Sequence, residues 1–397
     1  MSVLCLLLVL NALRPVRQAH LGVPLFFAAW LVSELAPYLL VGAVVGVTVL
    51  LVLGDLTAAT WVGVGVTLGV IAGLVRMVLV AEEVEQLAED VLSEWAEEGA
   101  GAGEAGSHRP HPVRRWLVAM RFSHPEVERI ADVPYTEEGH RRHQLDVYRR
   151  TDHPTGCPTL LQVHGGGWVI GDKKQQGRPL MTHLARLGWV CFAPNYRLSP
   201  RATFPDHLVD VKRAIAWVRE HGAEYGADPG FLVITGGSAG GHLAALAALT
   251  ANEPAYQPGF EDADTRVQGC VTFYGVYDLH GETGTKAYQV RHDRLMTRLV
   301  MKTRDLDVFE QASPLAQVHG DVPPFLVVHG RNDTLVPVAE ARAFVAKLRE
   351  VSSQPVVYLE LPGTQHAFEV FHSIRSGHVV RAVGRFVEAV RANAAAR

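Results

Sequence analysis

Cysteine is scarce in this sequence, and basic charge is not in excess. The 397 residues include four cysteines, Cys5, Cys157, Cys191 and Cys270, scattered with no C-x-x-C pair. That spacing excludes a disulfide scaffold, and the four read as free thiols. Cys191 and Cys270 lie inside strand-like runs, where a thiol behaves as a small buried hydrophobe. The formal net charge is -4, and no concentrated basic stripe with interleaved aromatics is present. A nucleic-acid partner is thereby excluded, because nothing here would displace phosphate counterions. Glycine (37) and proline (22) are near ordinary usage, which rules out collagen-like and disordered chains.

Charge is nearly missing from the first 80 residues. Only Arg14, Arg17, Glu34, Asp55 and Arg76 fall there, out of 78 charged residues in all. Four apolar stretches can be read, at 2–13, 21–33, 37–54 and 56–75. The last carries no charge between Asp55 and Arg76, and at 1.5 Å per residue such a run crosses a ~30 Å hydrocarbon core. The third is slightly shorter and equally uncharged, so the two form a hairpin turning at Gly54-Asp55, where a carboxylate can stay wet. The first two are short for a span. A cleavable signal peptide does not fit 2–13, which lacks a positive leading region. A buried soluble hairpin would have to hide four almost uncharged segments beneath a domain that has its own core. Residues 1–80 are therefore expected to be membrane-embedded helices, with the bilayer as a partner. Arg14 and Arg17 favour a cytoplasmic first loop, which puts the bulk of the chain outside the cell if all four segments span, and in the cytoplasm if only the last two do. The extracytoplasmic side is the expectation carried forward.

Residues 81–107 form a transition. Val84, Leu87, Ala88, Val91, Leu92 and Trp95 recur at helical spacing among acidic residues, predicting that the membrane helix continues as an amphipathic one. Gly99 to Ser107 reads as a flexible linker. From 108 to 397 the pattern alternates. Short runs at 129–135 and 144–148 predict an opening antiparallel pair. Apolar runs at 159–163, 189–193, 232–235, 267–274, 325–328 and 356–361 predict buried strands. Helical stretches at 208–221, 242–250, 339–351 and 377–394 lie between and after them. This is the pattern of an α/β fold with a mainly parallel sheet covered on both faces. The interval 275–322 is polar and irregular, with a helix near 291–301, and reads as a cap insertion over the strand ends.

Three signals carry chemistry. Gly236-Gly237-Ser238-Ala239-Gly240 follows a strand and precedes a helix. A serine hydroxyl becomes a useful nucleophile when a tight turn holds it exposed beside a base, and only small flanking residues permit that turn. His164-Gly165-Gly166-Gly167-Trp168 closes another strand. Backbone N–H groups of Gly166 and Gly167, with that of Ala239, can converge there on an oxyanion. His164 reads as a structural hydrogen-bonder rather than the base. Asp333 and His366 each follow a late strand, and the order serine, acid, histidine is the one an α/β-hydrolase uses. Asp278 and Asp293 are the alternative acids, both within the cap. No G-K-[ST] or G-x-G-x-x-G context supports a nucleotide cofactor. The pairs His108 with His111 and His140 with His143 lack the partners a metal needs and read as surface.

These motifs, with Asn195-Tyr-Arg-Leu-Ser-Pro, Asp228-Pro and Tyr277-Asp-Leu, make the region from about Pro134 onward resemble the hormone-sensitive-lipase-type branch of the α/β-hydrolases. The resemblance implies a serine carboxylesterase or lipase with a helical cap, acting on a small-molecule or lipid ester without a cofactor. Two features depart from it. Trp168 stands where that family commonly has Phe, a variant shared with related esterases and formamidases, and the apolar N-terminal region replaces short cap helices. An amidase or arylformamidase with the same triad is the neighbouring alternative. An inactive hydrolase-like membrane scaffold is the other, although nucleophile, base and oxyanion glycines are all present.

Overall fold

The computed structural model describes residues 2–16, 22–55, 57–97, 123–137, 139–284 and 292–395. The expected linker, Arg17, His108 and His111 lie outside the described residues.

Eight strands form one sheet: β1 (Val127–Pro134), β2 (Gln144–Arg150), β3 (Cys157–Val163), β4 (Val190–Pro194), β5 (Ala227–Gly237), β6 (Gly269–Phe273), β7 (Phe325–Gly330) and β8 (Val356–Leu361). Their order is β1-β2-β4-β3-β5-β6-β7-β8. Pairings β1–β2 and β2–β4 are antiparallel, and all others are parallel. The central strands β3, β4, β6 and β7 are buried along their whole length, as expected where helices cover both faces. Alternation assigns the side chains of β3, β4 and β5 to two cores. Leu161, Phe192, Leu232 and Ile234 join helices α6 (Asp206–His221), α7 (Ala239–Leu249) and α9 (Val338–Val351) on one face. Leu160, Cys191 and Val233 point the other way, toward α5 (Arg178–Arg186) and α10 (Ile374–Ala395). Because β3 and β5 are neighbours in parallel, with Val163 opposite Gly236, the two glycine-rich segments leave the sheet side by side.

Four helices precede the sheet: α1 (Ser2–Leu13), α2 (Gly22–Glu34), α3 (Ala36–Leu53) and α4 (Ala58–Glu97). Val9, Ala12, Ala29, Val32, Ala36, Val70, Leu74 and Met77 form a core of their own. Gly73 lets α1 approach closely, since a β-carbon there would collide with Val9. Helix α4 crosses position 80 without a break, and its 40 residues extend about 60 Å. Val84, Ala88, Leu92 and Trp95, on its second half, are buried in the same core as α5 and α10.

Two stretches differ from the sequence reading. Helix α5 was not expected. The helix anticipated near 291–301 is a π-helical segment, His292–Val300, followed by the short α8 (Leu306–Gln311). Leu279, Met296, Val300, Phe309 and Leu315, all within 275–322, are buried in the α6–α7–α9 core. Cys157, Cys191 and Cys270 are buried free thiols, while Cys5 is exposed on α1.

Candidate active site

Strand β5 ends in Gly236-Gly237, and α7 starts at Ala239. Ser238 between them has φ 58° and ψ -123°, a backbone conformation an L-residue adopts only when its surroundings force it. Those surroundings are tight. A β-carbon on Gly236 would strike the carbonyl of Gly240, and one on Gly240 would strike that of Val163. Ser238 donates its N–H to Phe273 of β6 at 3.0 Å, which anchors the turn to the sheet. Its side chain lies against the other motif, for a β-carbon on Gly165 would sit 3.1 Å from Ser238 Cβ.

The loop after β3 is held by glycine conformations. Gly166 and Gly167 have φ 118° and 60°, and Trp168 has φ 62°. Gly165 donates its N–H to Gln176 Oε1 at 2.6 Å. Ala239 is the first residue of α7, where a backbone N–H has no intrahelical acceptor. His164 is buried, its Nε2 accepting from Arg142 Nη2 at 3.0 Å and its Nδ1 donating to the Gly165 carbonyl at 2.7 Å. Burial lowers its pKa to about 4, so the buried ring is neutral at physiological pH. Arg142 also donates to the carbonyls of Gly171, just beyond the glycine-rich segment, and of Tyr196, in the loop after β4, tying the two loops together. Trp168 donates its indole N–H to His242 Nδ1 at 3.3 Å, and His242 Nε2 donates to the Ala312 carbonyl at 2.7 Å.

Asp333 and His366 meet. Nδ1 of His366 lies 2.6 Å from Asp333 Oδ2, with both side chains buried. Asp333 Oδ1 accepts the N–H groups of Leu335 and Val336, each at 2.8 Å. Burial by itself would raise the Asp333 pKa, but His366 and His329, whose Nε2 is 3.4 Å from Oδ2, outweigh it and hold the carboxyl well below the usual carboxylate range. Gln365 ties the two loops together, its Oε1 accepting from the N–H of His366 at 3.1 Å and of Thr334 at 3.2 Å. Tyr274 links this pair to the serine turn. Its ring centroid is 4.3 Å from that of His366, and its hydroxyl is the atom a β-carbon on Gly237 would meet, at 2.7 Å.

The alternative acids are not brought to this place. The Asp278 carboxylate accepts from the N–H groups of Gly281, Glu282 and Thr283, capping its own loop. The side chain of Asp293 lies outside the described residues. The ring of His140 is 4.9 Å from that of His143, but His143 is buried, not on the surface, and its Nε2 lies 3.2 Å from Asp210, which also pairs with Arg197. Arg142, His329, Tyr274 and Gln365 were not singled out in the sequence. A histidine closing an apolar strand and an arginine in a polar turn carry no local mark of what they touch.

A mainly parallel sheet whose strand ends present, in chain order, a glycine-rich loop, a strained serine turn and an Asp–His pair defines an α/β-hydrolase. The BD-FAE family model matches residues 145–348. The probable carboxylic ester hydrolase LipM of Mycobacterium tuberculosis is 51% identical over 301 residues, covering 74% of this chain and 67% of that protein. Esterase LipQ of the same organism is 48% identical over 288 residues, 70% of this chain and 64% of LipQ. Among solved structures, the thermophilic esterase Est2 of Thermogutta terrifontis superimposes with a TM-score of 0.56 at 26% identity, covering 67% of this chain and 95% of Est2. The chain belongs to the BD-FAE family of hormone-sensitive-lipase-type α/β-hydrolases, and its class is carboxylic ester hydrolase. It spans about two thirds of the length of the curated relatives it matches.

Proposed function

We propose that this chain is a membrane-anchored serine esterase, with Ser238 as nucleophile, His366 as base and Asp333 as the acid that orients it. The observation carrying this reading is the 2.6 Å contact between His366 Nδ1 and Asp333. With Nδ1–H committed to the carboxylate, Nε2 is left as the ring atom able to accept a proton. Ser238 loses its proton to that nitrogen as it attacks the ester carbonyl. The N–H groups of Gly166, Gly167 and Ala239 then receive the oxyanion, and one such donor contributes about 3 kcal/mol. His366 returns the proton to the departing alcohol and next activates water, which releases the acid from Ser238. Full-length protein in detergent should hydrolyse p-nitrophenyl butyrate and take up a fluorophosphonate label, both lost in Ser238→Ala. Undiminished turnover in that variant overturns the assignment.

The anchor is supported by the surface. Helices α3 and α4 are long and apolar enough to cross a membrane, with mean hydropathy 2.4 and 2.2 in their apolar windows. Among the described residues, every exposed large hydrophobic side chain except Ile170, Leu187, Leu299, Leu306 and Val351 lies at or before Leu79. Such a concentration has no aqueous partner. Helices α1 and α2 have 12 and 13 residues, too few to span, so the proposed anchor has two crossings, the α1–α2 pair shares a side with the hydrolase fold, and the Arg14 charge bias then favours the cytoplasmic side over the extracytoplasmic one expected from four spans. A lipid ester, drawn from that surface, is the proposed substrate class. The anchor reading requires that the protein remain with membranes through a high-salt or carbonate wash and leave them in detergent. Release by the wash refutes it.

A further inference from the structure

The turn that carries His366 is not held by the hydrolase fold alone. It is gripped along one stripe of α2. Phe26, Trp30 and Glu34 are spaced i, i+4 and i+8, which places them one above another on a helix. Each meets a successive part of the segment after β8. The Phe26 ring stands edge-on to the His366 imidazole, with centroids 6.2 Å apart and planes at 75°. Trp30 donates its indole N–H to the carbonyl of Ala367, the residue after His366, at 2.9 Å, and its ring packs on Phe371 at 5.0 Å. Glu34, fully buried, pairs with the guanidinium of Arg375 and accepts from Ser373 Oγ at 2.6 Å. At the end of α1, the Leu13 carbonyl receives Asn332 Nδ2 at 3.4 Å, one residue before Asp333.

Ala367 explains why a grip is needed. It has φ 59° and ψ 27°, a left-handed conformation that costs an alanine free energy and persists only where contacts enforce it. The Trp30 hydrogen bond fixes the peptide unit leaving that residue. If it were released, the turn could relax toward ordinary backbone angles, and the imidazole would swing away from the geometry that a proton transfer demands.

We propose that α2 is a working part of the active site, and that Trp30 is a positioning residue for His366, acting through the Ala367 carbonyl. This rests on the assignment of Ser238, Asp333 and His366 as the triad. The same helix exposes Val23, Phe27 and Leu31 on a neighbouring stripe. One face of α2 thus meets the anchor's apolar surroundings while another holds the base, so catalysis is set by how α2 is seated.

The test uses full-length protein in detergent, assayed with p-nitrophenyl butyrate across pH. Trp30→Phe keeps the ring and removes the donor. The expected result is a fall in kcat of at least tenfold with KM within twofold, a displaced acid limb of the pH–rate profile, and loss or shift of the low-field proton resonance from the His366–Asp333 hydrogen bond. Glu34→Gln and Phe26→Leu, which keep volume, should produce smaller changes of the same kind, and they carry the test if Trp30→Phe cannot be purified. Wild-type kcat, pH profile and proton resonance in the folded variants overturn the proposal. Ser238→Ala is run beside them. If it is inactive while the α2 variants behave as wild type, only this proposal falls; if it remains active, the triad assignment falls as well.

Discussion

Arg142 donates to Nε2 of His164 across 3.0 Å, so an arginine in the β1–β2 turn sets the tautomer of the residue that opens the glycine-rich loop. The same guanidinium reaches the carbonyls of Tyr196 and Gly171. A lysine offers a point charge in place of this planar fork. Arg142→Lys should therefore lower kcat about tenfold or more while leaving the Asp333–His366 contact intact. Steady-state kinetics together with the low-field proton resonance measure the two effects separately.

Asp333→Asn removes the charge but keeps a carbonyl oxygen able to accept from Leu335 and Val336. The turn should hold, and the imidazole should lose the tautomer in which Nδ1 carries the proton. A fall in kcat of about 10⁴ is expected, by analogy with other triads, with little change in unfolding midpoint. A loss below tenfold would place the orienting acid elsewhere.

Gly166 and Gly167 should respond differently to alanine. At Gly166 the added carbon collides with the Ile170 carbonyl, and φ is 118°, outside the region alanine tolerates. At Gly167 φ is 60° and the carbon would meet only Leu295, at 3.7 Å. Gly166→Ala is predicted to reduce kcat by about 10² or more as the oxyanion donors shift, and Gly167→Ala by much less. Comparing fluorophosphonate labelling rates of the two variants checks this order.

Stability should fall in mild acid. Burial lowers His164, His183 and His207 from 6.5 to about 4. Between those values the unfolded chain binds protons that the folded one refuses, so each histidine removes about 1.4 kcal/mol per pH unit as pH drops from 6.5 toward 4. Glu369 works oppositely. Burial raises it to about 7 although Tyr274 donates to it, so it stays protonated in the fold and costs stability as pH rises from 4.5 to 7. Three histidines against one carboxylate leave a net loss in acid. Thermal unfolding at pH 5 and pH 7 should show a lower midpoint at pH 5, and Glu369→Gln should widen the gap.

The strand sequence of the sheet was legible because β3, β4, β6 and β7 are short runs without charge, and the turn at Ser238 because glycine must flank it. The Asp333–His366 pair was legible from order along the chain. The grip of α2 was not. Within 21–33 and its flank, Phe26 and Trp30 look like any membrane-helix aromatics, and the partners of Glu34 lie 339 and 341 positions away. One signal was there to be used: a carboxylate ending an apolar run must find a cation or water, and Glu34 finds Arg375. Helix α5 was missed because Pro179 stands at its start, where a proline is welcome though it reads as a breaker. Its apolar residues Leu180, Met181 and Leu184 nonetheless share a face.

Helix α4 shares a core with α1, α2 and α3 as far as Met77 and packs on the back of the sheet from Val84 onward, with no break between. The two halves are therefore geared to each other. One residue inserted after Val80 would turn everything beyond it by 100° and advance it 1.5 Å. Phe26 and Trp30 would no longer face His366 and Ala367. A flexible tether tolerates changes of length, whereas this unbroken helix ties the place of α2 on the sheet to residue count. The N-terminal helices and the hydrolase fold can shift against each other only by keeping the phase between them.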